Sequence, residues 1–204
     1  MYKIGLISTH GTGKTTLAYT IAGEFKKQGI KVKPIAEMAT IAIERGFPIN
    51  KGTTLEAQGW IFHTQSSLEL EAEMYNYEVC ICDRTVFDNF VYMINSLGEQ
   101  KEYLEMVLGH MKLHPYNKLY LIPITNDEKE LQEDGVRDTD LNFQRQIDIK
   151  LRNLLQDLKI EYIELPKPKS KDTLRQEWTK LIIENTLKDL GRKTLFDFDN
   201  KQDL

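Results

Sequence analysis

Lys3-Ile4-Gly5-Leu6-Ile7, running into Ser8-Thr9-His10-Gly11-Thr12-Gly13-Lys14-Thr15-Thr16, is the stretch on which the fold turns. A short apolar run reads as a strand, and Lys14 to Lys27 carries Leu17, Ile21 and Phe25 at helical spacing before Gly29 ends it. The residues between are a Walker A loop with one departure, Ser8 in place of the first glycine of G-x-x-x-x-G-K-[ST]. Strand, glycine-bearing loop and helix together predict a phosphate cradle. Gly11 and Gly13 let backbone N–H groups approach phosphate oxygens, and the positive end of the helix dipole faces the same point. Lys14 is then placed to bridge β and γ phosphates, and the Thr15 hydroxyl to ligate Mg²⁺, with Thr9, His10, Thr12 and Thr16 completing the loop. His10 reads as a loop residue, because phosphoryl transfer depends on positioning and charge more than on imidazole chemistry.

Outward from this loop, strand and helix patterns alternate. Further strands are expected at Lys31 to Ala36, Glu78 to Cys82, Lys118 to Ile122 and Ile160 to Leu165. Helical patterns fall near Thr54 to Asn76 and on the face carrying Ile147, Leu151, Leu154 and Leu158. Such alternation implies right-handed crossovers and a parallel sheet covered on both faces, with ligands at the carboxyl ends of the strands. At 204 residues, with no repeat and no linker, one domain over residues 1–190 is expected, followed by a polar tail, 191–204, that either docks through Leu195, Phe196 and Phe198 or frays.

With 27 Lys and Arg against 31 Asp and Glu, the net charge of −4 supplies no global positive field for duplex nucleic acid or an anionic membrane. Cys80 and Cys82 share one face of a strand, a spacing that fits small buried hydrophobes rather than a zinc knuckle. No segment approaches 18 uninterrupted apolar residues, so a cytoplasmic chain without a membrane span is expected. His110 and His114 read as surface residues at a helix end.

The kind of nucleotide chemistry follows from three further segments. Asn117-Lys118-Leu119-Tyr120 lacks the aspartate of an N-K-x-D base-reading loop, which disfavours that form of GTP specificity. Val79-Cys80-Ile81-Cys82-Asp83 ends an apolar strand on a carboxylate suited to Mg²⁺, but Arg84 follows where a motor ATPase carries a water-activating glutamate. Arg84 is placed to meet anionic substrate or phosphate; the plainer alternative is a strand-ending salt bridge. The polar segment 126–140 reads as a lid. Within it Arg137 precedes a helix, and Arg145 lies in that helix's second turn; either is suited to neutralise a transferring phosphoryl group, or is simply a solvated charge.

Ser8 to Leu17, Asp83-Arg84 and Asp134-Gly135-Val136-Arg137-Asp138 together resemble the NadR-like P-loop kinases and ATPases, a group that includes ribosylnicotinamide kinase domains and phage-encoded relatives. His63-Thr64-Gln65 resembles an H-x-Q in the corresponding helix. The resemblance implies a nucleoside-kinase-like sheet of order 2-3-1-4-5, ATP with Mg²⁺, and a lid around Arg137. It also implies an acidic residue beside the acceptor hydroxyl, and Glu37, ending the second strand, stands where related kinases hold one. Gln58 and Gln65, seven residues apart on one helical face, are candidates with His63 for reading the acceptor. The expected activity is ATP-dependent phosphoryl transfer to a small nucleoside-like or nucleotide-like molecule. The rivals are an NTP-hydrolysing switch and a kinase of nucleic-acid ends or modified bases, the latter disfavoured by the acidic balance.

Overall fold

The computed structural model describes residues 1–124, 141–167 and 171–192. The lid segment, Arg137 with it, and all but the first two residues of the tail lie outside these. Five strands form one parallel sheet in the order β2-β3-β1-β4-β5, as the resemblance implied. They are β1 (Tyr2–Ile7), β2 (Val32–Ile35), β3 (Val79–Asp83), β4 (Lys118–Leu121) and β5 (Ile163–Glu164). The helices are α1 (Lys14–Lys27), α2 (Met38–Glu44), α3 (Leu55–Met74), α4 (Val86–Leu97), α5 (Lys101–Leu113), α6 (Leu141–Asp157) and α7 (Lys171–Asp189).

The central strand explains the two cores. In β1, Ile4 and Leu6 point to one side and pack with Leu17, Ile21 and Phe25 of α1 and with Trp178 and Ile182 of α7. Ile7 points to the other side, toward Phe87 and Val91 of α4 and Phe143, Ile147 and Leu151 of α6. A third cluster, with Cys80, Cys82, Ile35, Met38 and Ile61, sits beneath α2 and α3. Both cysteines are free and fully buried, their sulfurs 3.9 Å apart, as small hydrophobes of a strand should be. Burial on both faces is why the strands read as continuous apolar runs.

Two expectations are corrected here. The fifth strand is shorter than Ile160 to Leu165, because α6 closes with Ile160 N–H donating to Leu155 C=O and Lys159 at φ 53°, leaving only Ile163 and Glu164 to pair with Tyr120 and Leu121. His110 and His114 are not bare surface residues. His110 Nε2 lies 3.0 Å from Glu69 Oε2, and His114 Nδ1 lies 3.0 Å from Glu73 Oε2; spacing within a sequence cannot see partners on another helix.

Candidate active site

The loop between β1 and α1 has the geometry its glycines require. Gly11 (φ 72°) and Gly13 (φ 83°) occupy the left-handed region that a side chain disfavours. Ser8 does not, so replacing the first glycine costs no backbone strain there, and its buried hydroxyl bridges the loop to Thr12 Oγ1 at 2.8 Å. Gly13 caps α1 without a side-chain hydrogen bond, and the first turn carries no acidic residue. The helix therefore presents amide donors and its positive dipole end to an anion.

Lys14 is 5% exposed and curls back over the loop, donating to Thr9 C=O at 2.5 Å and Ser8 C=O at 3.4 Å. Burial, reinforced by the charge of Arg84, pulls its pKa down to about 8, and the carboxylates of Glu37 and Asp83 only partly oppose this. Thr15 follows at the helix start. Thr16 is exposed, its carbonyl accepting from Thr20 Oγ1.

Asp83 ends β3 beside this loop. It is 1% exposed, and among the described residues neither carboxylate oxygen has a hydrogen-bond partner. Burial raises its pKa, while the ammonium of Lys14 and the nearby Thr15 hydroxyl favour the ionised form. A buried, unpartnered carboxylate next to a loop threonine fits a divalent cation sharing its remaining positions with phosphate oxygens and water. Among the described residues, no group of three or more His, Cys, Asp and Glu could hold a metal on its own.

Arg84 adopts φ 84°, unusual for a side-chain-bearing residue, and this turn swings its guanidinium back over the loop. Nε donates to Glu37 Oε1 at 2.5 Å, one Nη to Ser8 C=O and the other to Tyr92 Oη, each at 3.3 Å. The guanidinium carbon also lies 4.4 Å from the Tyr92 ring centre. Burial opposes its charge, but Glu37, Tyr92 and Asp88 outweigh that, so Arg84 stays a cation. Asp88 is held in a capping box: Thr85 Oγ1 accepts from the Phe87 and Asp88 amides, and Asp88 Oδ1 accepts from Thr85 N–H.

A cavity opens beside these groups, lined by His10, Glu37, Gln58, Arg84, Asn89 and Tyr92, with Ile49 and Ile61 as apolar wall. The structure thus brings together Lys14, Glu37, Gln58, Asp83 and Arg84. It keeps His63 and Gln65 out. His63 is exposed with its ring edge-on to Phe62, and Gln65 is fully buried, donating to Glu69 and to the Arg84 carbonyl. Sharing a helical face with Gln58 did not carry Gln65 to the cavity, because two further turns of α3 run under the sheet. Arg145 is exposed on α6, whereas its neighbour Gln144 is buried and donates to His10 C=O at 2.8 Å.

Three lining or supporting residues escaped the sequence reading. Asn89 has a buried amide nitrogen without a partner among the described residues, Tyr92 hydrogen-bonds Arg84 and His10 Nδ1, and Gln144 pins the loop backbone. For α4 a signal existed: Thr85, Asn89, Tyr92 and Ser96 recur at spacings of three and four, a polar stripe on an apolar helix.

A glycine loop on a helix N-terminus, with a buried lysine and a strand-end aspartate, defines a P-loop nucleotide-binding protein. The AAA-domain family model matches residues 3–173, and the chain belongs to that family. No curated protein matches the sequence. Among solved structures, deoxyadenosine kinase from M. mycoides, with products dCMP and a flexible dCDP bound, superposes with TM-score 0.57 at 17% identity, covering 93% of this chain and 98% of that one. NadR in complex with NR gives TM-score 0.68 at 15% identity over 96% of this chain, and NadR with NAD and AMP-PNP gives 0.63 at 14% over 94%. The chain spans about half of each NadR chain, 53% and 50%. At these identities the likeness is one of fold, and it is the fold the sequence resemblance implied. No helix among the described residues is long and apolar enough to cross a membrane.

Proposed function

We propose that this chain is an ATP-dependent kinase transferring the γ-phosphoryl group to a hydroxyl of a small nucleoside-like or nucleotide-like acceptor, working as one cytoplasmic domain over residues 1–190. The observation that carries this reading is Arg84. One guanidinium joins the phosphate loop, through Ser8 C=O, to the acceptor cavity, through Glu37. A cation shared by both sites is what in-line phosphoryl transfer between two bound molecules needs. That ATP is the donor is supported by the loop's geometry and by the AMP-PNP complex of NadR.

In this account the Gly11–Gly13 amides and Lys14 hold the β and γ phosphates. Glu37 accepts the acceptor's O–H and aligns its oxygen on the γ phosphorus. The new O–P bond forms as the bond to the β–γ bridging oxygen breaks, the proton passes to Glu37, and ADP leaves. A carboxylate shared with Arg84 suffices as acceptor of that proton, because charge development at the acceptor oxygen is small in a loose transition state. Thr15 and Asp83 would hold Mg²⁺, which when bound neutralises charge on the β and γ oxygens. Arg84 does the same from the acceptor side. Arg137 is assigned to close over the transferring group from the lid, and exposed Arg145 to follow it at the start of α6. Gln58, with Asn89 across the cavity, contacts the acceptor.

The test is a screen of nucleosides, nucleotides and oligonucleotides for acceptor-dependent ADP release, with the product identified by mass. A nucleoside that accelerates release and gains one phosphoryl group supports the reading. Release indifferent to every small acceptor overturns it.

A further inference from the structure

Glu69 has no place in the chemistry above, yet it is fully buried on the sheet side of α3 with five side-chain donors around it. Its Oε2 accepts from Lys3 Nζ at 2.8 Å and His110 Nε2 at 3.0 Å. Its Oε1 accepts from Tyr116 Oη at 2.6 Å, Gln65 Nε2 at 2.9 Å and, more weakly, the Cys82 thiol at 3.8 Å. Burial alone would neutralise this carboxyl, but hydrogen bonding from His110 and the charge of Lys3 keep it below the usual carboxylate range. It is an ionised acceptor with every direction used.

The amide and hydroxyl donors on Oε1 each reach one step further, to the same turn. Gln65 Nε2 also donates to Arg84 C=O at 3.3 Å, and Tyr116 Oη accepts from Val86 N–H at 3.1 Å. These grips lie on either side of Thr85, where the chain passes from the left-handed Arg84 into α4. The Gln65 amide is oriented unambiguously, since both of its contacts are acceptors and only nitrogen can serve them. A left-handed arginine persists only where its surroundings over-determine it.

We propose that Glu69, acting through Gln65 and Tyr116, is a positioning residue for Arg84: one buried carboxylate oxygen anchors both side chains that hold the Arg84–Val86 turn in the conformation that aims the guanidinium at Glu37 and the phosphate loop. The functional part of this rests on the kinase reading; the structural part does not. None of the three touches the cavity. They act on catalysis by fixing where Arg84 stands.

The test uses Gln65→Met, which keeps the volume and removes the donor, and Tyr116→Phe, which removes the hydroxyl, in the full chain. Hydrogen exchange at the amides of residues 84–88 should accelerate about tenfold or more in either variant, while α1 and α7 on the opposite sheet face keep wild-type protection. With ATP and Mg²⁺ alone as probe, the kcat of intrinsic hydrolysis should fall about fivefold or more with KM for ATP within about twofold. Added to Arg84→Lys, either substitution should cost less than about twofold further, since both act through one residue. Unchanged exchange at 84–88, protection lost evenly from both sheet faces, or a fully additive loss with Arg84→Lys would overturn the proposal. A wild-type protein that hydrolyses ATP but phosphorylates no acceptor would sink the kinase reading and leave these outcomes to decide the positioning. Should hydrolysis be too slow to follow, the exchange result decides alone.

Discussion

Gly5 stands in the middle of β1, paired with Cys82 on one side and Leu119 on the other. A methyl group placed there would lie 2.5 Å from Thr85 Cγ2, 2.6 Å from Leu119 Cδ2 and 3.2 Å from Tyr116 Cδ1. Thr85 is fully buried and cannot simply rotate away, because its hydroxyl caps α4 through the Phe87 and Asp88 amides. Gly5→Ala therefore forces either overpacking, about 1–3 kcal/mol, or partial loss of the cap, about 0.5–2 kcal/mol. Reduced freedom of the unfolded chain returns about 0.4–1 kcal/mol. The net expectation is a loss of about 1–2 kcal/mol, and a fall in Tm of about 2–8 °C for a chain of this size. Thermal and urea unfolding measure it, with Gly23→Ala as internal control. That glycine lies inside α1 with nothing near its added methyl, and the change should stabilise by about 0.5–1 kcal/mol. Since Thr85 adjoins Arg84, residual folded Gly5→Ala should also turn over ATP more slowly. A Gly5→Ala protein within about 0.5 kcal/mol of wild type would refute the claim that β1 and the Thr85 turn are packed without slack.

Four other expectations concern charge. Lys14, held at about 8 in the free protein, is driven back up by bound phosphate, so ATP affinity should be level below pH 8. Above that it should weaken by up to about tenfold per pH unit, because binding must take up a proton; fluorescent-nucleotide titrations from pH 7 to 9.5 that show no slope would contradict it. Lys3→Met removes one partner of a buried pair and should cost about 3 kcal/mol, the low end of such losses, because His110 and Tyr116 remain on Glu69. In wild type, the contribution from Glu69's depressed pKa is present at neutral pH and is lost as pH falls below about 4, so acid unfolding read by circular dichroism should be shallower in Glu69→Gln. Asp83→Asn should weaken Mg²⁺-dependent turnover more than Mg²⁺-independent nucleotide binding, and equal Mg²⁺ titration curves for variant and wild type would return Asp83 to a packing role.

Local patterns made much of this legible in the sequence. The bounds of α1, Lys14 to Lys27, follow from apolar spacing and Gly29, and the sheet order follows from the family resemblance carried by the loop together with Asp83-Arg84 and the segment 134–138. Lys14, Asp83 and Arg84 converge because a parallel sheet sends its strand ends to one edge. What could not be read were distances between elements. Gln65 and Gln58 are equivalent on a helical wheel, but one lies under the sheet and the other at the cavity. Nothing within the sequence marks Lys3 as buried, yet it is 1% exposed, because α3 supplies Glu69 from 66 residues away. His110 and His114 gained carboxylate partners by the same route.

The central claim is that the γ-phosphoryl group goes to a bound hydroxyl and not to water. Its most direct measurement follows ATP labelled on the γ phosphate, with Mg²⁺ and each acceptor in turn, and partitions the label between acceptor and inorganic phosphate. The account predicts label on one nucleoside-like or nucleotide-like acceptor, one ADP per labelled product, and loss of both in folded Lys14→Ala. Label appearing only as inorganic phosphate, at a rate no acceptor changes, would contradict it.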